Sequence, residues 1–118
     1  MSDAPLILIV EDEDSIRLTL RDYLKKKGHA VSVASDGVGA IKQILDHPVH
    51  LIVTDYRMDI LGGDYWIRFL REFCPEQKVI ITSGFLQPEF PIPYPVVYKP
   101  YDYAELEGLI RRTIEETG

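Results

Sequence analysis

The chain is 118 residues long, 46% hydrophobic and 27% charged, a composition typical of globular proteins at a length that supports one packed core rather than two. Its formal net charge is −6, and its basic runs are limited to Lys25-Lys26-Lys27 and Arg111-Arg112, which gives a nucleic-acid backbone little to bind. The single cysteine, Cys74, excludes an internal disulfide, and no apolar run approaches the length that spans a bilayer.

In chain order, Leu6-Ile-Leu-Ile-Val10 reads as a buried strand running straight into Glu11-Asp12-Glu13-Asp14. Asp14 is expected to cap a helix whose apolar positions Ile16, Leu20, Tyr23 and Leu24 recur at helical spacing, and Gly28 to end it. Leu18 falls off that stripe, beside Arg17 and Arg21. A second strand covers Ala30–Ala34, and Ser35 or Asp36 caps a helix carrying Val38, Ile41, Ile44 and Leu45 that Pro48 stops. Leu51-Ile-Val-Thr-Asp55 is a third buried strand, broken off at one carboxylate.

An irregular loop through Gly62-Gly63 leads to a helix with Trp66, Phe69, Leu70 and Phe73 on one face, closed by Pro75. A fourth strand runs over residues 79–83 and ends at Ser83. Pro88, Pro91, Pro93 and Pro95 then make a continuous helix over residues 85–95 very unfavourable. Val96-Val97-Tyr98 precedes Lys99-Pro100, and a last helix over residues 103–116 buries Leu106, Leu109, Ile110 and Ile114. His29, His47 and His50 are neither paired nor at metal-ligand spacing and read as surface or strand-edge residues.

Strands alternating with helices predict an α/β fold, a parallel sheet with right-handed crossovers and helices on both faces. Ligands bind such sheets at the carboxyl ends of the strands. There this chain delivers Glu11, Asp12, Asp55, Ser83 and Lys99. Carboxylates gathered at one edge need a cation to neutralise them, and an all-oxygen donor set suits Mg2+.

The acidic pair Glu11-Asp12, Asp55 followed by Met58 and Gly62, Ser83-Gly84 and Lys99-Pro100 occur in this order, each at the end of an apolar strand. Together they resemble the receiver domains of bacterial two-component response regulators, over essentially the whole chain. The resemblance implies one receiver domain over residues 1–118 with no attached effector. Its sheet would be a doubly wound, five-stranded parallel one in the flavodoxin-like order 2-1-3-4-5, with the fourth helix shortened or absent.

The resemblance also implies a chemistry. Asp55 would accept a phosphoryl group from a histidine kinase or histidine phosphotransfer protein. Asp12, more directly than Glu11, would hold Mg2+ together with Asp55 and the backbone carbonyl of Arg57. Lys99 would pair with Asp55 and then with a phosphoryl oxygen, aimed by a cis Lys99-Pro100 bond, and Ser83 would donate its hydroxyl after phosphorylation. Leu18 is the candidate kinase contact. The output would be a contact with an unidentified downstream protein, homodimer formation remaining open, without nucleic acid or membrane, in the cytoplasm. Such a domain promotes only its own phosphorylation and dephosphorylation and is not a turnover enzyme.

The sequence also departs from the family pattern. Asp59 stands where a proline usually follows the methionine, and Arg57 and Phe85 flank the expected path of an attacking water. Val96 replaces the usual switch aromatic three residues before the lysine, so Tyr94 or Tyr98, on the same strand face, would have to stand in. Phe85, Phe90, Ile92 and Tyr94 either dock on a partner, making residues 85–95 the phosphorylation-responsive element, or fold back over the sheet. A Mg2+-dependent phosphohydrolase using an aspartyl-phosphate is a rival, but its second aspartate is needed two residues after the nucleophile, where Arg57 stands. A dinucleotide-binding fold would need a Gly-rich turn after the first strand, and none follows. A non-phosphorylated interaction module would have no use for the intact acid, Ser and Lys set.

Overall fold

A computed structural model describes residues 5–58, 60, 63–84 and 92–116. Among them the elements are β1 (Leu6–Val10), α1 (Asp14–Lys26), β2 (Ala30–Ala34), α2 (Gly37–Asp46), β3 (Leu51–Asp55), α3 (Gly63–Phe73), β4 (Lys78–Ser83), β5 (Val96–Tyr98) and α4 (Tyr103–Glu115). The strands pair in parallel in the order β2-β1-β3-β4-β5. This is the expected doubly wound, flavodoxin-like sheet.

The pleat divides the core in two. Leu8, Val10, Ile52, Val79, Ile81 and Val96 pack with Ala40, Trp66, Ile67 and Leu70 of α2 and α3. Ile7, Ile9, Leu51, Val53, Ile80 and Val97 pack on the other face with Leu20, Leu24, Leu106 and Ile110 of α1 and α4. β3 lies between β1 and β4, and all five of its residues are buried. Each aliphatic side chain so removed from water contributes roughly 2 kcal/mol, so Asp55 ends the strand the sheet holds most firmly.

Punctuation follows local chemistry. Gly28 leaves α1 at φ +94°, a left-handed conformation suited to glycine just past a helix end. Asp36 caps α2 by accepting from the Gly39 N–H at 2.8 Å, and Asp102 caps α4 through the Ala104 and Glu105 N–H groups. Asp14 does not cap α1, contrary to expectation. Glu13 takes the cap position without a side-chain cap bond, and Asp14, one residue further in, is drawn to Arg17 Nη2 at 2.6 Å.

Three helix positions expected on the apolar faces are exposed: Val38 (49%), Leu45 (78%) and Phe73 (71%). A sheet-facing stripe covers little more than a quarter of a helix surface. Ala40, Ile41 and Ile44 fill it on α2, and Trp66, Ile67 and Leu70 on α3, so their apolar neighbours turn outward. His29 is also paired, against expectation: its Nε2 lies 2.9 Å from Oε2 of Glu107, a buried carboxylate on α4 that Arg111 also reaches at 3.0 Å. His50 accepts the Leu6 N–H through Nδ1 at 3.1 Å.

Residues 92–95 are not helical, and Ile92 and Tyr94 join Val96 against the core on the α2 and α3 side, so these two fold back over the sheet. Tyr98, one pleat further, is 41% exposed. The remainder of the expected helix replacement, with Phe85 and Phe90, lies outside the described residues, as do Asp59 and Gly62.

Candidate functional site

The site forms at the carboxyl ends of β1, β3, β4 and β5. Asp55 follows Leu51 and Val53 on the face turned to α1 and α4. Glu11 and Lys99 continue the same alternation one residue beyond β1 and β5. Three strands thus bring these side chains to one place. Lys99 Nζ lies 2.8 Å from Glu11 Oε1 and 3.2 Å from Asp55 Oδ2. Glu11, Asp12 and Asp55 each offer a carboxylate oxygen within 4.8 Å of the others. Glu11 and Asp55 are buried while Asp12 faces solvent.

Burial raises the Asp55 carboxyl from its ordinary 3.8 to about 6; the charges of Glu11 and Asp12 add to this, against the opposing charge and hydrogen bond of Lys99. Burial works against the Lys99 ammonium, but the Glu11 hydrogen bond and the charges of Asp55 and Glu11 outweigh it and hold its pKa above the ordinary value. Each charge stabilises its partner in the ionised form. Lys99-Pro100 is cis, as expected.

Ser83 ends β4 fully buried, and its carbonyl accepts the Lys99 N–H at 2.7 Å. It stands one residue past Thr82, the register partner of Asp55. Arg57 and Met58 follow Asp55 after Tyr56, the arginine exposed and the methionine buried in the core on the α2 and α3 face. Leu18 is 37% exposed on α1, as its position off the apolar stripe implies.

Several supporting contacts could not be anticipated from strand ends alone. Arg17 Nη1 donates to the Glu11 carbonyl at 3.0 Å, and the Glu13 N–H donates to Glu11 Oε2 at 3.1 Å. The signal for Arg17 is its place three residues after Asp14, one helical turn on. Tyr101 packs edge-on to Tyr103 with ring centres 5.5 Å apart, and burial first, then Tyr103, Glu11 and Asp55, raise its phenol well above the ordinary range. Ile16, Lys99, Pro100, Tyr101 and Tyr103 line a cavity of about 350 Å³ beside the ion pair. The Trp66 indole donates to Thr54 Oγ1 at 2.9 Å, and that hydroxyl donates to the Asp55 carbonyl at 3.0 Å.

The family model of the response regulator receiver domain matches residues 7–92. The chain belongs to this family. It is 28% identical to the sensor kinase CckA of Brucella abortus across 98% of this chain and 13% of that protein. It is 29% identical to the transcriptional regulatory protein YxdJ of Bacillus subtilis across 93% of this chain and 52% of that one. The chain therefore spans about half or less of these two curated relatives. The Francisella response regulator 1452 receiver domain superposes with a TM-score of 0.87, covering 97% of this chain and 99% of that one at 24% identity, and so shares the fold. The receiver is thus a signalling domain of the two-component type. Among the described residues no helix is long and apolar enough to cross a membrane.

Proposed function

We propose that this receiver takes a phosphoryl group from a phosphohistidine onto Asp55, with Mg2+ required, and uses the change to alter a protein contact. One observation carries the reading: a nearly buried carboxylate ends the central strand within 3.2 Å of a lysine and within 4.8 Å of two further carboxylates. In the transfer an Asp55 carboxylate oxygen attacks phosphorus in line. The new P–O bond forms as the P–N bond to the donor imidazole breaks, and the electron pair of that bond stays on the imidazole nitrogen. With a pKa of about 6, Asp55 is mostly ionised at neutral pH and ready to attack.

Asp12, Asp55, Glu11 and the Arg57 carbonyl are the residues that would hold Mg2+. The donor set fits: all the donors are hard oxygens, and three carboxylates against one ammonium leave negative charge for a divalent cation to balance. Bound there, Mg2+ supplies the positive charge that offsets the phosphoryl oxygens. Lys99 follows the charge from Asp55 to a phosphoryl oxygen, and the Ser83 hydroxyl donates to another. This chemistry makes the domain a phospho-acceptor rather than a turnover enzyme.

The donor, a histidine kinase or histidine phosphotransfer protein, docks at the edge formed by α1 and the segment after β5. There Leu18 is exposed, and Ile16 lines the cavity shared with Lys99, Pro100, Tyr101 and Tyr103. This reading has the domain act in the cytoplasm on a downstream protein.

The test is incubation with Mg2+ and a small acyl phosphate, read by intact mass. One labile phosphoryl adduct is expected in the wild type and none in Asp55→Asn or without divalent metal. Equal yield from Asp55→Asn would overturn the assignment.

A further inference from the structure

Tyr56, directly after Asp55, is 6% exposed and tied at three points. Its N–H donates to the Thr82 carbonyl of β4 at 2.8 Å, and its carbonyl accepts the N–H of Gly63, the first residue of α3, at 2.6 Å. Its hydroxyl donates to Oδ1 of Asp64, in the first turn of α3, at 2.5 Å. The last is a charge-assisted bond and the strongest type of the three.

α3 makes a second approach to the same stretch. Trp66 donates to Thr54, and Thr54 to the Asp55 carbonyl. The peptide before Tyr56 and the peptide after it are therefore both referred to the first turn of α3. The next carbonyl along the chain is that of Arg57.

We propose that the Tyr56 to Asp64 hydrogen bond is a positioning device for the divalent-metal site, fixing through Tyr56 the peptide that presents the Arg57 carbonyl. The inference rests on the reading of Glu11, Asp12, Asp55 and Arg57 as the metal's oxygen donors. A metal ligand supplied by backbone has no side-chain rotamer to adjust, so its aim depends entirely on how the neighbouring residues are held. Partners of this supporting kind typically govern metal affinity by roughly 10-fold or more. Because the tyrosine hydroxyl touches neither metal nor phosphoryl group, Tyr56 and Asp64 are positioning residues.

The experiment is calorimetric titration of the unphosphorylated protein with Mg2+, alongside a thermal melt of each variant. Tyr56→Phe removes one oxygen, and Asp64→Ala removes the acceptor at an exposed side chain without touching the core. Each is expected to weaken Mg2+ by roughly 10-fold, and the double variant by no more than either single, since both act through one bond. Asp64→Asn, which keeps an acceptor oxygen, should stay within about twofold of wild type, a rescue that a merely structural loss would not show.

Asp12→Ala serves as the control and should lose Mg2+ binding. If Asp12→Ala binds Mg2+ like wild type, the metal-site reading itself fails. If Asp12→Ala loses Mg2+ while Asp64→Ala and Tyr56→Phe bind as wild type, or if the two effects add in the double variant, the positioning inference alone is overturned. Should Tyr56→Phe melt early, Asp64→Ala against Asp64→Asn decides the matter.

Discussion

Glu11 holds Lys99 more closely than Asp55 does: Nζ stands 2.8 Å from Glu11 Oε1 against 3.2 Å from Asp55 Oδ2. The lysine is therefore shared, and Asp55 feels both the ammonium and the competing carboxylate. Glu11→Gln removes the like charge and leaves Lys99 to Asp55. The Asp55 carboxyl should then fall from about 6 toward its ordinary 3.8. A carboxyl-carbon NMR titration of metal-free protein reads this directly, and an unchanged midpoint would show that burial alone sets the value.

The same carboxyl makes stability depend on pH. Because its folded pKa lies above the unfolded one, its contribution is fully present below about 3.8 and is lost as pH rises through about 6. Asp55→Asn, which carries no charge, should match wild type near pH 4 and exceed it at pH 7.5 by about 1 to 2 kcal/mol, allowing for solvent screening at the cleft. Urea denaturation without divalent metal checks the sign. A wild type more stable than Asp55→Asn at pH 7.5 would contradict it.

Lys99 should matter after phosphorylation more than before it. Its N–H bonds the Ser83 carbonyl at 2.7 Å, and the Ile81 N–H bonds the Pro95 carbonyl at 2.8 Å, so β5 is stitched to the strand that ends in Ser83. Beryllofluoride, a phosphoryl mimic, should change amide exchange at Ile81 and Lys99 in wild type. In Lys99→Ala the exchange response of Ile81 should shrink severalfold while Mg2+ still binds. A full response in that variant would reduce Lys99 to a surface cation.

Glu107 is a structural counterpart at the other end of the sheet. The His29 hydrogen bond, more than the charge of Arg111, holds its carboxyl below the ordinary carboxylate range despite opposing burial. A depressed carboxylate contributes stability above its unfolded pKa and loses it as pH falls through the lower folded value. Glu107→Ala should cost about 1 to 2 kcal/mol at neutral pH, and the deficit should narrow in acid. Thermal melts at neutral and strongly acidic pH test this, and a constant deficit would rule out the ionic contribution.

The strand ends were legible because each is a short apolar run stopped by a polar residue. Leu51 to Asp55 could be read without knowing any neighbour, and the pleat then carried Asp55, Glu11 and Lys99 to one face. What escaped were interactions spanning the sheet. His29 and Glu107 are 78 positions apart and meet only because α4 packs beside the end of α1. Val38, Leu45 and Phe73 show a different limit, since helical spacing gives the apolar side of a helix but not how much of it the sheet can cover. At α1, two adjacent acids could each have served as cap, and Arg17 decided between them by holding Asp14.

Trp66 is the chain's one tryptophan, fully buried, and two successive hydrogen bonds connect its indole to the Asp55 carbonyl. The protein thus carries an intrinsic fluorophore, hydrogen-bonded through Thr54 to the backbone of Asp55 and shielded from solvent quenchers. Emission colour and lifetime should therefore serve as a label-free gauge of events at Asp55, in which time courses would be followed without a dye, a radioisotope or a partner protein.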